Sequence, residues 1–222
     1  MRVERPLEAD EINAVLAASR KAIANKTFIL SYPGRNDGLE VLMRPDGWPR
    51  LVRAAGEGRG GVVSTDGSWQ WSDYFIDISH YTGRPAQKCD GSTTAGELVV
   101  TYTHTASTNK WTSRADTRGW VPVCNPVFDV LSGAAPATSV APSVLAEKAV
   151  RGFTAAFTCP AGTYGLSHAD DVTQTLLIDA DSLLPVRWQV VEDRRLSDER
   201  LLKYTPLQLR VPNGVAAPQC IP

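Results

Sequence analysis

Four cysteines are the residues whose type and spacing bear most directly on chemistry. Cys89, Cys124, Cys159 and Cys220 are far apart, and each stands close to a glycine, proline or asparagine. Zinc sites usually take their thiolates from close pairs such as CxxC, and this sequence has no such pair. The spacing therefore favours two disulfides over a metal site, with buried free thiols as the alternative.

The cysteines also carry an expectation about pairing and location. Four cysteines allow three pairings, and we favour Cys89 with Cys124 and Cys159 with Cys220, because the second bond would tether the C-terminal tail. Disulfides persist in oxidising compartments, so we expect an exported protein of the periplasm or cell envelope. The N-terminal residues lack the apolar core of a signal peptide, so Met1 would be an engineered start that replaces a removed signal.

The three histidines, His80, His104 and His168, lie in separate segments without the spacing of metal ligands. A metal site built from His80, His104 and Asp77 is one interpretation, and histidines on the surface or along a sheet are the other. The second interpretation requires no special arrangement, so we expect no metal.

Paired carboxylates and known catalytic motifs do not indicate an active site either. Asp170 with Asp171, and Asp179 with Asp181, stand at the ends of predicted strands, where aspartate commonly makes turns. GxSxG, HExxH, P-loop and GxGxxG motifs are missing, and the EGRGG at 57–61 lacks the GK[ST] that follows in a P-loop. We expect neither enzyme activity nor a cofactor.

Composition argues against two broad classes of protein. The 222 residues carry a net charge of −1 without runs of like charge, so the basic field typical of nucleic-acid binding is missing. No stretch approaches the roughly 18 consecutive apolar residues of a membrane-spanning helix. With 43% hydrophobic residues, the chain has ample material for a core. We expect one monomeric domain, residues 1–222, without a nucleic-acid partner.

One helix is well marked, over residues 6–25. Acidic residues near its start suit the positive end of a helix, and Ile12, Val15, Leu16 and Ile23 form an apolar stripe at helical spacing. Because one side is apolar and the other charged, the helix should cover an apolar surface.

After the helix, short β-prone runs alternate with turn dipeptides such as Asp46-Gly47, which predicts an antiparallel meander. Residues 97–105 alternate strictly, with Leu98, Val100 and Tyr102 on one face.

Two segments interrupt or follow the predicted strands. Residues 126–150 predict a helical insertion with two short helices, about 126–132 and 142–150. Residues 211–222 are expected to form an irregular tail.

The last predicted hairpin shows the same alternation. Leu176 and Ile178 share a face of its first strand, as do Trp188 and Val190 on its second. The tryptophans of SWQWS alternate likewise. Strands that each have one apolar face predict a curved sheet with an apolar concave side and a polar outside.

The order of these elements resembles that of the LolA/LolB/LppX-like lipid and lipoprotein carriers. The resemblance runs from the helix leading into KTFILSY, through DGSWQW and the central insertion, to TLLIDADSLLPVRWQVV and YTPLQL. Its sharpest part, Leu176 to Val190, is similar to the IDP…LPxR hairpin of that superfamily. The resemblance implies an α+β fold, in which helices cover the concave apolar side of a curved, incomplete antiparallel β-barrel.

The same resemblance implies a non-enzymatic periplasmic binder or carrier of a hydrophobic ligand. Its partners would be a lipid or an acylated protein, together with an envelope membrane protein. The residues expected to line its apolar cavity are Ile12, Val15, Leu16, Trp69, Trp71, Leu98, Val100, Tyr102, Leu131, Leu176, Ile178, Trp188 and Val190.

Two other functions remain open. Secreted carbohydrate-binding β modules stack sugars on flat, exposed aromatic rings, whereas a lipid cavity requires buried ones. The chain could also be an envelope sensor or interaction protein that uses the same fold to grip a partner chain. The tryptophans that could serve a sugar platform are Trp48, Trp69, Trp71, Trp111, Trp120 and Trp188.

Overall fold

The fold is that of a computed structural model. The residues it describes are 7–35, 38–55, 61–63, 69–71, 75–105, 107–118, 128–133, 135–145, 148–159, 170–192, 194–206 and 209–222. The chain divides into two compact units. The tail unit comprises Lys26–Met43, Pro49–Trp120 and Tyr204–Pro222, and the helical unit comprises Met1–Asn25, Arg44–Trp48 and Val121–Lys203.

The tail unit is built from antiparallel strands. They are β1 (Thr27–Ser31), β2 (Gly38–Met43), β3 (Pro49–Ala55), β4 (Gly61–Val63), β5 (Trp69–Trp71), β6 (Phe75–Gln87), β7 (Thr93–Thr105) and β8 (Lys110–Arg118). Six of them form a sheet in the order β8-β7-β6-β3-β2-β1, while β4 pairs with β5. Residues 209–222 contain turns and bends but no helix or strand, apart from one parallel bridge between Lys88 and Ile221.

The helical unit packs two helices on a five-stranded antiparallel meander. The helices are α1 (Ala9–Ile23) and α2 (Phe128–Ser132), and the strands are β9 (Thr138–Leu145), β10 (Lys148–Cys159), β11 (Asp170–Asp179), β12 (Pro185–Glu192) and β13 (Arg195–Thr205). Each strand from β9 to β13 neighbours the next, and the last two residues of β13 belong to the tail unit. Within the described residues, no helix is long and apolar enough to cross a membrane.

Residues within and next to helix α1 determine where it begins and ends. Glu11 Oε2 accepts a hydrogen bond from the Glu8 backbone N–H at 2.9 Å, and acidic residues in the first turn and basic residues in the last turn complement the helix dipole. Asn25, just beyond the helix, takes a left-handed φ of 58°. The buried residues of α1 are Ile12, Leu16, Ser19 and Ile23, and Val15 is half-buried.

Arg20 joins the two helices. Its Nη1 donates hydrogen bonds to the carbonyl oxygens of Leu131, at 3.1 Å, and Ser132, at 2.6 Å. The last carbonyls of a helix have no partner inside the helix, so these bonds satisfy the end of α2. The charged side of α1 thereby fixes the short second helix.

The predicted α+β barrel with helices over its concave side is wrong. Strands far outnumber helices among the described residues, since α1 and α2 together hold only 20 residues, and the antiparallel sheet is open. One cause is the segment 142–150, predicted as a helix, which forms the end of β9 and the start of β10. Ser143 and Val144 pair there with Val150 and Ala149. Ladder pairing of this kind outweighs the helix propensity of the alanines in this segment.

Candidate functional site

The structure divides the predicted cavity-lining residues between the two units. Leu98, Val100 and Tyr102 lie in β7 of the tail unit. Trp69 and Trp71 are the ends of β5, and their side chains lie outside the described part of the structure. The others belong to the helical unit: Ile12, Val15, Leu16, Leu131, Leu176, Ile178, Trp188 and Val190.

In the helical unit these residues form a closely packed core. Leu131, Leu176, Ile178, Trp188 and Val190 have 0% of their surface exposed. The register of β11 with β12 pairs Leu176 with Trp188, so the two side chains share a face, as the alternation predicts. A cavity wide enough for an acyl chain would leave water-sized space beside its walls, and these side chains have none. Their role in ligand binding stays a prediction.

A polar chain crosses this core. The Trp188 indole Nε1 donates to Gln174 Oε1 at 2.9 Å, and Gln174 Nε2 donates to Asp129 Oδ2 at 3.2 Å. All three residues are buried. An indole or amide left unpaired in an apolar interior is costly, so each group stabilises the next. Because Asp129 belongs to α2, the polar chain also fixes that helix on β11 and β12.

In the tail unit, one face of the sheet is apolar along β7. The registers place Leu51 and Val100 in one row across the sheet, on either side of His80, and Ile78 beside Tyr102 in the next row. The buried residues of this face form one cluster, here termed the apolar patch: Leu42, Leu51, Ile78, Val100, Tyr102 and Leu209.

The C-terminal segment covers the apolar patch. Leu209 is buried in the cluster, whereas Val211, Val215 and Ala217 pack on it and stay half-buried. Trp111 of β8 packs on the same cluster and is also half-buried. Residues 209–219, here termed the strap, therefore form an irregular cover over a regular sheet.

Side-chain hydrogen bonds fasten the strap near its end. The Ser113 hydroxyl donates to the Ala216 carbonyl at 2.6 Å. Arg84 Nη1 donates to Gln219 Oε1 at 2.7 Å. Both donors belong to strands of the sheet, so the strap is held to β8 and β6.

A disulfide joins Cys89 to Cys220, 131 residues apart in sequence. The favoured sequential pairing is therefore wrong, although the tail is tethered as expected. The Cys89 N–H also donates to the Ile221 carbonyl at 2.8 Å, so main-chain bonding brings the two cysteines together. Such a pairing depends on tertiary contacts, which cysteine spacing does not show. Cys159 ends β10, and Cys124 lies outside the described residues.

The two described histidines, His80 and His104, lie on the sheet of the tail unit, and His168 lies outside the described residues. His104 Nε2 is 3.1 Å from Asn109 Oδ1, and its ring centroid is 5.0 Å from that of Trp111. In the part of the chain that the structure describes, no three His, Cys, Asp or Glu side chains are placed to hold a metal ion. Hairpin contacts thus account for the orientation of His104.

Burial raises the pKa of two tyrosines in the tail unit. It raises the pKa of Tyr102 in the apolar patch, because apolar surroundings disfavour the charged phenolate. Burial also raises the pKa of Tyr204, whose ring centroid is 5.7 Å from that of Phe28. Both rings are therefore neutral parts of the apolar interior at physiological pH.

The described tryptophan rings are not exposed platforms. Trp188 is fully buried, and Trp48 and Trp111 are half-buried. Stacking of sugars requires flat, accessible rings, so these three do not favour a carbohydrate-binding module. The side chains of Trp69, Trp71 and Trp120 lie outside the described part of the structure.

Two features of these sites were not predicted from the sequence. One sequence feature could have indicated the polar chain behind Trp188: Gln174 is a polar residue on the apolar face of a strand. A second feature could have indicated the strap: the segment before Cys220 contains the apolar residues Val211, Val215 and Ala217. In comparisons with known proteins, no family model matches the chain and no curated protein matches its sequence.

Proposed function

We propose that this chain is a non-enzymatic, exported binder of a hydrophobic ligand, and that an acyl chain of the ligand lies on the apolar patch beneath the strap. One observation carries this proposal: an irregular segment, rather than a helix or strand, covers Leu51, Val100 and Tyr102. Segments with few backbone hydrogen bonds and half-exposed apolar contacts open at low free energy. The strap can therefore separate from the patch while the sheet stays folded.

Two further observations support this function. The disulfide between Cys89 and Cys220 suits an oxidising compartment such as the periplasm, and it keeps the strap attached when it opens. The resemblance of Leu176–Val190 to the hairpin of the LolA/LolB/LppX-like carriers favours the same class of ligand. A lipid or an acylated protein is therefore the proposed partner.

Burial of the acyl chain supplies the affinity. Each methylene taken out of water contributes about 0.8 kcal/mol, so two methylenes together improve the affinity by about tenfold. The affinity should therefore rise steadily with chain length until the space beneath the strap is filled.

Displacement of a fluorescent apolar probe, N-phenyl-1-naphthylamine, tests the proposal. Acyl ligands of increasing length should displace the probe from one saturable site, each longer ligand at a lower concentration. An affinity that does not change with chain length would contradict the proposal, as would binding of soluble oligosaccharides in place of acyl ligands.

Two neighbouring strap residues offer a matched pair of variants. Val215 packs on the patch, whereas Ala216 is exposed. Val215→Asp should weaken acyl binding by about tenfold or more, because a carboxylate must then lose its water when the strap closes on the ligand. Ala216→Asp introduces the same charge in solvent and should leave the affinity nearly unchanged. Equal effects at the two positions would mean that the ligand does not bind beneath the strap.

A further inference from the structure

The disulfide between Cys89 and Cys220 lies at the surface of the tail unit. Cys89 belongs to the turn between β6 and β7, and every residue from Gln87 to Thr93 is exposed. Cys220 is half-buried. Thiol–disulfide exchange requires that a thiolate reach one of the two sulfurs. The exposed turn therefore leaves the Cys89 end of the bond accessible to a thiol from outside the chain.

The same bond attaches the C-terminal end of the strap covalently to the sheet. Among the described residues, no main-chain hydrogen bond joins the strap to the sheet, and the side-chain bonds from Ser113 and Arg84 are exposed to water. Just beyond the strap, the Ile221 N–H donates to the Gln87 carbonyl at 2.9 Å, and the Ile221 carbonyl accepts from the Cys89 N–H. Water competes for exposed hydrogen bonds, so without the disulfide this end of the chain separates from the sheet more readily.

A dithiol reductant breaks such a bond in two exchange steps. Its thiolate attacks the Cys89 sulfur, forms a mixed disulfide and expels Cys220 as a thiolate, which takes up a proton. The second thiol of the reductant loses its proton, attacks its own sulfur in the mixed disulfide and releases Cys89 as a thiol. Two electrons pass from the dithiol to the cystine, and the reductant leaves as a disulfide. The strap is then held covalently through Leu209 alone, so closing it over the patch costs more conformational entropy.

We propose that the disulfide between Cys89 and Cys220 is a redox switch: a dithiol oxidoreductase reduces it, and the freed strap releases the acyl ligand from the apolar patch. This inference rests on the proposed function and adds its regulation, together with a partner of stated chemistry, a protein with an exposed pair of thiols. The reverse exchange, with the disulfide form of the same class of partner, closes the strap again.

Dithiothreitol serves as the probe for the exchange step in the native protein. Raising its concentration about tenfold should speed reduction of the bond about tenfold, because direct attack on an accessible sulfur is a bimolecular step. Quenching with iodoacetamide, followed by peptide mapping, reports each cysteine separately. Amide hydrogen exchange should rise at Val215 while α1 keeps its protection. A reduction rate that does not change with dithiothreitol concentration and equals the rate of global unfolding would overturn the proposal.

Laurate, below its critical micelle concentration, reports the effect on binding through displacement of N-phenyl-1-naphthylamine. It should bind about tenfold more weakly to the reduced protein than to the oxidised protein, mainly through faster dissociation. Two double variants assign this response. Cys89→Ser with Cys220→Ser should bind laurate as the reduced protein does and should not respond to dithiothreitol. Cys124→Ser with Cys159→Ser keeps the switch and should retain the full response.

The outcomes separate this inference from the proposed function. If laurate binds equally well before and after reduction, the switch is overturned while the acyl site stands. If laurate does not displace the probe from the oxidised protein, the proposed function fails, and the switch fails with it as a control of binding. A response to dithiothreitol that persists in Cys89→Ser with Cys220→Ser would show that other cysteines cause it, and would also overturn the switch.

Discussion

The two units cover their antiparallel strands in different ways. In the helical unit, α1 and α2 cover the strands, and a hydrogen-bonded chain from Trp188 to Asp129 satisfies buried polar groups. In the tail unit, an irregular strap covers the apolar patch. A segment of this kind opens at lower free energy than packed helices do. The contrast therefore favours the tail unit as the place of binding and the helical unit as a stabilising body.

The largest expected effect tests the packing of the helical unit. Trp188→Ala should lower the free energy of unfolding by about 3–5 kcal/mol, because it removes a fully buried ring and leaves Gln174 without its donor. The neighbouring Arg187 is half-buried on the other face and pairs with Glu199, so Arg187→Gln should cost about 1 kcal/mol or less. Chemical denaturation measures both. Small and equal losses would mean that this core is as loosely covered as the apolar patch.

Removal of the disulfide is expected to have the next largest effect, in the tail unit. The double variant Cys89→Ser with Cys220→Ser should lose about 2–4 kcal/mol, because the bond closes a long loop in the unfolded chain. Amide hydrogen exchange should then rise at strap residues such as Val215, while α1 keeps its protection. Faster exchange in α1 than in the strap would contradict the separation of the two units.

Peptide mapping without reduction checks the pairing itself. The peptide that holds Cys89 should be linked to the one that holds Cys220, and thiol counting in denaturant should find no free thiol. Our expectation for the remaining two cysteines is a bond between Cys124 and Cys159. Four reactive thiols would contradict both bonds and remove the support for an oxidising compartment.

What the sequence predicts well is local. Alternation placed Leu176 and Trp188 on one face, and the register and burial agree, because a period of two follows from strand geometry alone. The pairing of Cys89 with Cys220, 131 residues apart, depends on segments that meet only in the folded chain. Local patterns cannot report such contacts. The segment 142–150 is a different case, because its two strands are neighbours in sequence and pair in a hairpin where a helix was predicted.

The partners of buried polar residues in both units could not be predicted from the sequence, for the same reason. Gln174 and Arg53 each stand in a strand, and nothing in their spacing names Asp129 or Glu40 as the partner. A partner across a sheet or on a helix is set by register and packing, which a single sequence leaves open. The pair of Glu40 and Arg53 could therefore be found only once the pairing of β2 and β3 was known.

The smallest expected effect concerns the pH dependence of stability, which we compare for two aspartates in turns, one in each unit. In the helical unit, Asp179 Oδ1 accepts hydrogen bonds from the Ser182 N–H and hydroxyl, both at 2.7 Å, and these bonds lower the pKa of the carboxyl. Lys148 adds a weaker contribution in the same direction. In the tail unit, the Ser92 hydroxyl at 2.6 Å and the Ser92 N–H at 2.8 Å lower the pKa of Asp90. The difference is that Asp179 is buried and Asp90 is exposed.

A carboxyl whose pKa is lower in the folded chain stabilises the fold when it is ionised in both states, and that contribution is lost as the pH falls through the folded pKa. Asp179→Asn should therefore lower the free energy of unfolding by about 1 kcal/mol at neutral pH, after allowance for solvent screening, and the difference should shrink as the pH falls below about 4, the ordinary pKa of an aspartate. Asp90→Asn should change less, because water and salt screen an exposed carboxylate. Urea unfolding of both variants across this pH range measures the two responses. A larger response from Asp90 would show that the turn beside Cys89, and with it the anchor of the strap, is the more strongly ordered of the two.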